Sequence, residues 1–323
     1  MKIEAIKDSA AERRGSTTAG SCSPLLRYWR ALYQQTPNFR GKGKVFFDKP
    51  SRLVRNWPSD VSILGYHGST FFHCDLNEHI YRFLFFYGIH ELDVDWICGQ
   101  VLQSGDVFVD IGACFGYHAI SSALRVGPTG HVYALEPQPD MFARLQNNLV
   151  GNNLSNVTPD HLALSDQAET LRLHRFADLG SAHTSVSSQG REASEIISTA
   201  AVTLDAYVEQ RKIKSVTLVK LDVEGAELKV LRGATALLGS SSPPMWVMEI
   251  NEETASACGY HPRDLLGLLA QYGYSFYAPV WGRVIRNVAR LEFCSADRIQ
   301  HGMNLLCAIP ALHADRLAHV GVA

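Results

Sequence analysis

A chain of 323 residues, 46% hydrophobic and with a formal net charge of −2, has the material for one large α/β domain and a smaller companion. It has no basic excess to suggest a nucleic-acid partner, and no long acidic block of the kind that stays unfolded. Its seven cysteines are scattered and never in C-x-x-C spacing, which fits neither a zinc site nor a disulfide framework and suits a reducing, cytoplasmic setting.

Residues 1–23 are polar, lack an apolar h-region and read as a disordered lead-in rather than a secretory signal. Residues 24–103 read as a small mixed accessory region. It has a short helix over Pro24–Leu32 and short β segments across 44–74, broken by Pro50, Pro58, Gly65 and Gly68. Helices near Glu78–Tyr87 and Asp93–Leu102 follow. The aromatics Phe71, Phe72, Phe83, Phe85 and Phe86 read as core. The apolar run Phe83–Ile89 is far shorter than the roughly 20 residues a bilayer span needs, so no membrane span is expected.

Strand and helix signals then alternate over 104–311. Strands are expected at Val107–Ile111, His131–Leu135 and about Asp160–Leu164, with helices over Tyr117–Arg125 and Asp140–Val150. Leu171–His174 can add a hairpin strand. Residues 177–200 are small and polar and read as a long loop of the kind that covers a site. Thr203 is a helix cap. A strand over Val216–Leu221 leads through Asp222, Val223, Glu224 and Gly225 into a helix over Glu227–Leu238. Trp246–Ile250 is a strand, His261–Gln271 a helix, and two late strands lie near Ser275–Tyr277 and Leu305–Ile309. Residues 312–323 remain as a tail. Such alternation implies an α/β, Rossmann-like, mostly parallel doubly wound sheet with a late antiparallel strand and its ligand at the strands' C-terminal ends.

The stretch Val107–Ile120 carries the most chemistry. A buried-type strand ends on Asp110, and a turn with Gly112 and Gly116 precedes a helix. A second strand ends on Glu136, twenty-six positions after Asp110. Glycines give backbone room, a helix start offers unpaired N–H groups, and the second acid can accept from both hydroxyls of a ribose. The pattern is D-x-G-x-x-x-G, with an acid where a dinucleotide fingerprint has its first glycine. A carboxylate there repels phosphate and suits the cationic end of S-adenosylmethionine. That argues against a nicotinamide-dependent oxidoreductase. Cys114 reads as a small residue tolerated in the turn, and His118 as a helix-surface or core histidine.

Three blocks resemble the FkbM family of S-adenosylmethionine-dependent methyltransferases: Asp106–Tyr117, Val132–Pro137, and the pair T-L-D-A-Y at Thr203 and L-V-K-L-D-V-E-G-A-E-L at Leu218. Together they span about residues 91–252. Two places depart from the family pattern: Cys114-Phe115 in the turn, and Asp178 to His183 in place of its N-x-G-x-x-S element. The resemblance implies a class I methyltransferase fold acting on a hydroxyl of a sugar, glycan or small secondary metabolite. The cofactor set expected on this reading is Asp110, Gly112, Ala113, Gly116, Glu136, Pro137, Ala163, Leu164 and Asp222.

A hydroxyl must lose its proton as it is methylated, so a base near it is worth typically 10²–10⁴-fold. Asp222, Glu224, Glu249 and the loop residue His183 are the candidates, with Asp222 first. Asp222 can equally hold the methionine end of the cofactor. Lys220 lies two residues before it on one strand and can pair with it. Glu224 reads as a cap or dipole acid and Glu227 as a helix start. Asp222, Glu224 and Glu249 could converge on a divalent metal, but no histidine stands at ligand spacing and no metal is expected. Methyl transfer to nitrogen or carbon, and a cofactor-binding protein without catalysis, remain alternatives. The oligomeric state is not legible.

Overall fold

The structure, a computed structural model, describes residues 23–36, 42, 57–65, 67–176, 184–188, 190, 192–282 and 288–322. The chain divides into two compact units, one of residues 1–91, 147–153 and 282–287 and the other of residues 92–146, 154–281 and 288–323.

In the smaller unit, α1 (Pro24–Gln35) starts where Ser23 Oγ accepts the Leu26 N–H and Pro24 takes the first turn, a position that needs no amide donor. β1 (Val61–Leu64) and β2 (Thr70–Cys74) pair antiparallel, and α2 (His79–Tyr87) stops at Gly88 in the left-handed conformation. Two strands leave amides unpaired. Asn152 and Asn148 satisfy two of them, accepting the Thr70 and Phe72 N–H groups at 2.7 and 2.9 Å. Phe71, Phe85 and Phe86 are buried, and Tyr33 and Trp57 meet Phe86 edge-on, so these aromatics serve packing.

The larger unit begins with α3 (Leu92–Val101), β3 (Val107–Ile111), α4 (Tyr117–Val126), β4 (His131–Leu135), α5 (Pro139–Gly151, of which residues 147–151 belong to the smaller unit) and β5 (Val157–Asp160). A side excursion follows through β6 (Ala163–Leu164), β7 (Glu169–Arg175), β8 (Thr184–Ser185) and β9 (Glu195–Val202). Next come α6 (Leu204–Gln210), β10 (Leu218–Leu221), α7 (Glu227–Arg232), α8 (Thr235–Leu238), β11 (Met245–Ile250) and α9 (Glu252–Ala257). The unit closes with α10 (Pro262–Gln271), β12 (Ser275–Trp281), β13 (Val288–Phe293), β14 (Met303–Ala308) and α11 (Pro310–His319).

The main sheet has eight strands in the order β13-β12-β14-β11-β10-β3-β4-β5. The five from β5 to β11 run parallel, while β14 opposes β11 and the two strands beyond it alternate in direction. Every residue of β10 is buried, as for a strand covered on both faces. α4 packs closely because much of its buried surface is small: Ala119, Ser121, Ser122 and Ala123. The chain order reverses between β3 and β10, so the crevice at their C-terminal ends is where an α/β sheet takes a ligand.

The structure corrects several expectations. Within 177–200, the described residues include β8 and the eight-residue β9, which joins a four-stranded sheet of order β6-β9-β7-β8. Its Ser and Ala content hid a half-exposed strand. The strand expected over Asp160–Leu164 splits, with β5 in the main sheet and β6 in the side sheet. The helix expected over Glu227–Leu238 breaks at Gly233, whose α-carbon packs so closely that a Cβ would lie 2.2 Å from the Ser165 carbonyl oxygen. β13 has no counterpart among the expected strands; its alternating Arg290 and Glu292 are the exposed charges of an edge strand. The tail expected at 312–323 carries most of α11, which is kinked at His313, and Arg316 grips Asp106 through both terminal nitrogens at 2.8 and 2.9 Å.

Candidate active site

Two turns meet at the switch point, one after β3 and one after β10. In the first, Gly112 and Ala113 both donate to the Leu135 carbonyl at 3.0 Å, which folds the chain across the end of β4. Gly112, Cys114 and Gly116 take φ values of 80°, 52° and 92°. The glycine spacing suggests backbone room for a ligand, but in the structure the chain itself crowds those positions. A Cβ on Gly112 would lie 1.8 Å from the Asp222 carbonyl oxygen, and one on Gly116 2.5 Å from Leu145 Cδ1. The glycines thus let the two turns, and α5, pack against each other.

Glu136 follows β4 and is buried. Its Oε2 accepts the Cys114 N–H and its Oε1 the Gln138 N–H, each at 2.7 Å. A carboxylate has about four acceptor positions, so each oxygen keeps one for a further donor. That pair of acceptors fits the two hydroxyls of a vicinal diol beside the first turn. Burial pushes the carboxyl from its ordinary 4.5 up to about 7, against the pull of the two amides. Burial also holds the Cys114 thiol well above its ordinary value, in line with a packing role rather than a reactive one. Pro137 is half-buried, with its carbonyl 3.0 Å from His161 Nε2.

Strand register collects the acids. Asp110 pairs with Lys220 across β3 and β10, and Leu221 with Met248 across β10 and β11, which brings Asp222 level with Glu249. Glu249 in turn faces Asn304 of β14. Residues two apart on a strand share a face, so Asp110, Lys220, Asp222, Glu249 and Asn304 lie on one side of the sheet. The buried Lys220 ammonium stands 3.1 Å from Asp222 Oδ2 and 3.9 Å from Asp110 Oδ1, which confirms the expected Lys220–Asp222 pair and adds Asp110 to it. A buried ammonium is tolerable here because two carboxylates offset its lost hydration.

Other expected site residues lie on different elements. Ala163 and Leu164 form β6 in the side sheet, where their buried side chains pack in hydrophobic clusters. His183 lies outside the described residues. His118 is buried on α4. The T-L-D-A-Y block is architectural. Thr203 Oγ1 caps α6 by accepting the Ala206 N–H, as expected. Asp205 accepts the Ala236 and Leu237 N–H groups at the start of α8, and Tyr207 donates to Asp160 at 2.6 Å.

Sequence reasoning missed how the second turn is held. Glu224 and Gly225 take φ of 52° and 106°. The buried Glu227 folds back over them: Oε1 accepts the Val223 and Gly225 N–H groups at 3.2 and 3.1 Å, and Oε2 accepts the Gly225 N–H at 3.1 Å and the Tyr260 hydroxyl at 2.6 Å. An acid two residues beyond a glycine, opening a helix, is the signal that could have shown it.

This sheet order, with its glycine turn and diol-ready acid at the switch point, defines a class I methyltransferase, the class that uses S-adenosylmethionine. The methyltransferase FkbM domain matches residues 110–276. The chain belongs to that family. Among its relatives is the hexuronic acid methyltransferase AglP of Haloferax volcanii, 29% identical over 56% of this chain and 68% of that protein. Another is the 31-O-demethyl-FK506 methyltransferase FkbM of Streptomyces tacrolimicus, 29% identical over 42% of this chain and 62% of that protein. Among solved structures, an O-methyltransferase from Bacillus cereus aligns with a TM-score of 0.41 at 13% identity, over 68% of this chain and 82% of that one. Among the described residues no helix is long and apolar enough to cross a membrane.

Proposed function

We propose that the protein methylates a hydroxyl of a sugar, glycan or small metabolite, with S-adenosylmethionine as donor. The observation that carries this reading is the pairing, at one switch point, of a diol-ready Glu136 with an acidic row of Asp110, Asp222 and Glu249 around Lys220. The name of the 31-O-demethyl-FK506 relative supports an oxygen acceptor, and that of the hexuronic acid relative supports a sugar-derived substrate.

S-adenosylmethionine supplies a methyl carbon already activated by a sulfonium. The chain's task is therefore alignment, worth roughly 7–11 kcal/mol of barrier when the reacting atoms are held in line. On this reading Glu136 accepts from the ribose hydroxyls, the first turn fixes the nucleoside, and Asp110 faces the amino end. Asp222, half-buried at the exit of β10, takes the acceptor's proton, with Glu249 beside it as the other candidate.

The test is incubation with methyl-labelled S-adenosylmethionine and a panel of uronic acids, oligosaccharides and polyketide alcohols, followed by mass spectrometry. A labelled methyl ether is the expected product, and a methyl ester would place the acceptor at a carboxylate and overturn the hydroxyl assignment. Label carried only on nitrogen or carbon would overturn the hydroxyl assignment.

A further inference from the structure

The second turn is built with unusual economy around one carboxylate. Val223 to Gly225 must turn sharply after β10, and two consecutive residues do so in the left-handed region, one of them the non-glycine Glu224. A non-glycine residue there is strained and persists only where its surroundings hold it. An ordinary acid at a helix start would face solvent and favour the helix dipole. Glu227 instead is buried and reaches back two and four residues, and every group it meets is a donor: the Val223 and Gly225 amides and the Tyr260 hydroxyl. Three donors engage it, the Gly225 N–H being shared between the two oxygens, so both oxygens are committed to the turn and to Tyr260. From the other side, Ser185 Oγ donates to the Glu224 carbonyl at 2.7 Å. Gly225 leaves no slack either, since a Cβ there would lie 2.6 Å from Cys258 Sγ.

The same turn carries Asp222, whose carbonyl lies against the α-carbon of Gly112 and whose carboxylate pairs with Lys220. We propose that Glu227, closed over by Tyr260, is a positioning residue: it fixes the exit of β10, and through Asp222 it fixes both the proposed base and the turn that holds the cofactor. This rests on the reading of Asp222 and Gly112 as parts of the methyl-transfer site.

Glu227→Gln keeps the shape but replaces one accepting oxygen with an NH2 that cannot accept the Gly225 N–H and can meet the Tyr260 hydroxyl only as a donor. Tyr260→Phe keeps the ring and removes one of the donors. Each variant is to be compared with the wild type by amide hydrogen exchange, calorimetric titration with S-adenosylhomocysteine and thermal melting. In Glu227→Gln, exchange at Val223–Gly225 should rise at least about tenfold while the central strands keep their protection. Affinity for S-adenosylhomocysteine should fall by about tenfold. Tyr260→Phe should show the same pattern at smaller size. Unchanged exchange at Val223–Gly225 would overturn the proposal, as would a rise spread evenly over the whole chain. If Glu227→Gln does not fold, Tyr260→Phe decides: a local rise supports the staple and its absence overturns it. Failure of the wild type to bind S-adenosylhomocysteine would strike the cofactor reading instead, while the exchange measurement still judges the staple.

Discussion

Glu136 and Glu227 are two buried carboxylates that each tie down one turn of the same crevice, yet they are spent differently. Glu136 takes one amide on each oxygen and keeps acceptor positions to offer. Glu227 is engaged on both oxygens by the turn it holds and covered by a tyrosine hydroxyl, three donors in all. Burial raises both above the ordinary glutamate range. What separates a binding carboxylate from a structural one is therefore neither burial nor charge, but how many of its lone pairs the protein has already used. The turns differ in the same way: the first is hung on the neighbouring strand's carbonyl, the second on its own helix's first side chain.

The largest expected effect comes where the two turns touch. Gly112→Ala places a Cβ in the Asp222 carbonyl and forces a left-handed alanine, so stability should drop by about 3 kcal/mol or more, equal to roughly 6–12 °C of melting temperature. A variant melting like wild type would mean that the turns are not packed as described. Next is Asp222→Asn. As the base it should lose about 10²-fold or more in turnover while still binding S-adenosylhomocysteine. If Asp222 only anchors the methionine end, cofactor affinity should fall and saturated turnover should stay near wild type. Glu249→Gln is the paired control, and a turnover loss confined to it would move the base to β11. A smaller effect is expected from Ser185→Ala, which removes a single neutral hydrogen bond to the second turn, worth about 0.5–1.5 kcal/mol. Its loss should appear as faster amide exchange at Glu224 and Gly225 with little change in melting temperature.

The main sheet was readable because β3, β4, β10 and β11 are buried on both faces and so appear as short apolar runs between turn residues. The side sheet and β13 were not. Their strands are half exposed, so Ser198, Arg290 and Glu292 interrupt the hydrophobic signal, and their pairing is long-range. In the site, Asp110, Glu136 and the Lys220–Asp222 pair followed from strand ends and a period of two. The role of Glu227 did not, because a helix-start acid and a turn staple look alike until the fold shows which amides face it. T-L-D-A-Y stood out as a family block although its residues cap helices and brace Asp160.

The contrast between the two carboxylates is tested most directly by titrating S-adenosylhomocysteine into the wild type and Glu136→Gln across pH. With its carboxyl at about 7 rather than 4.5, free Glu136 is protonated over the acid side of neutrality, and that proton must leave before both oxygens can accept from a diol. Between those two values the folded chain holds a proton that the unfolded chain has lost, so this group's contribution to stability falls as pH rises, while ligand binding strengthens. Wild-type affinity should therefore increase by about tenfold from about pH 6 to about pH 8, and Glu136→Gln should bind at least about tenfold more weakly at the higher pH with no such slope. Wild-type affinity that does not vary with pH, together with a Glu136→Gln variant that binds as tightly, would contradict the account.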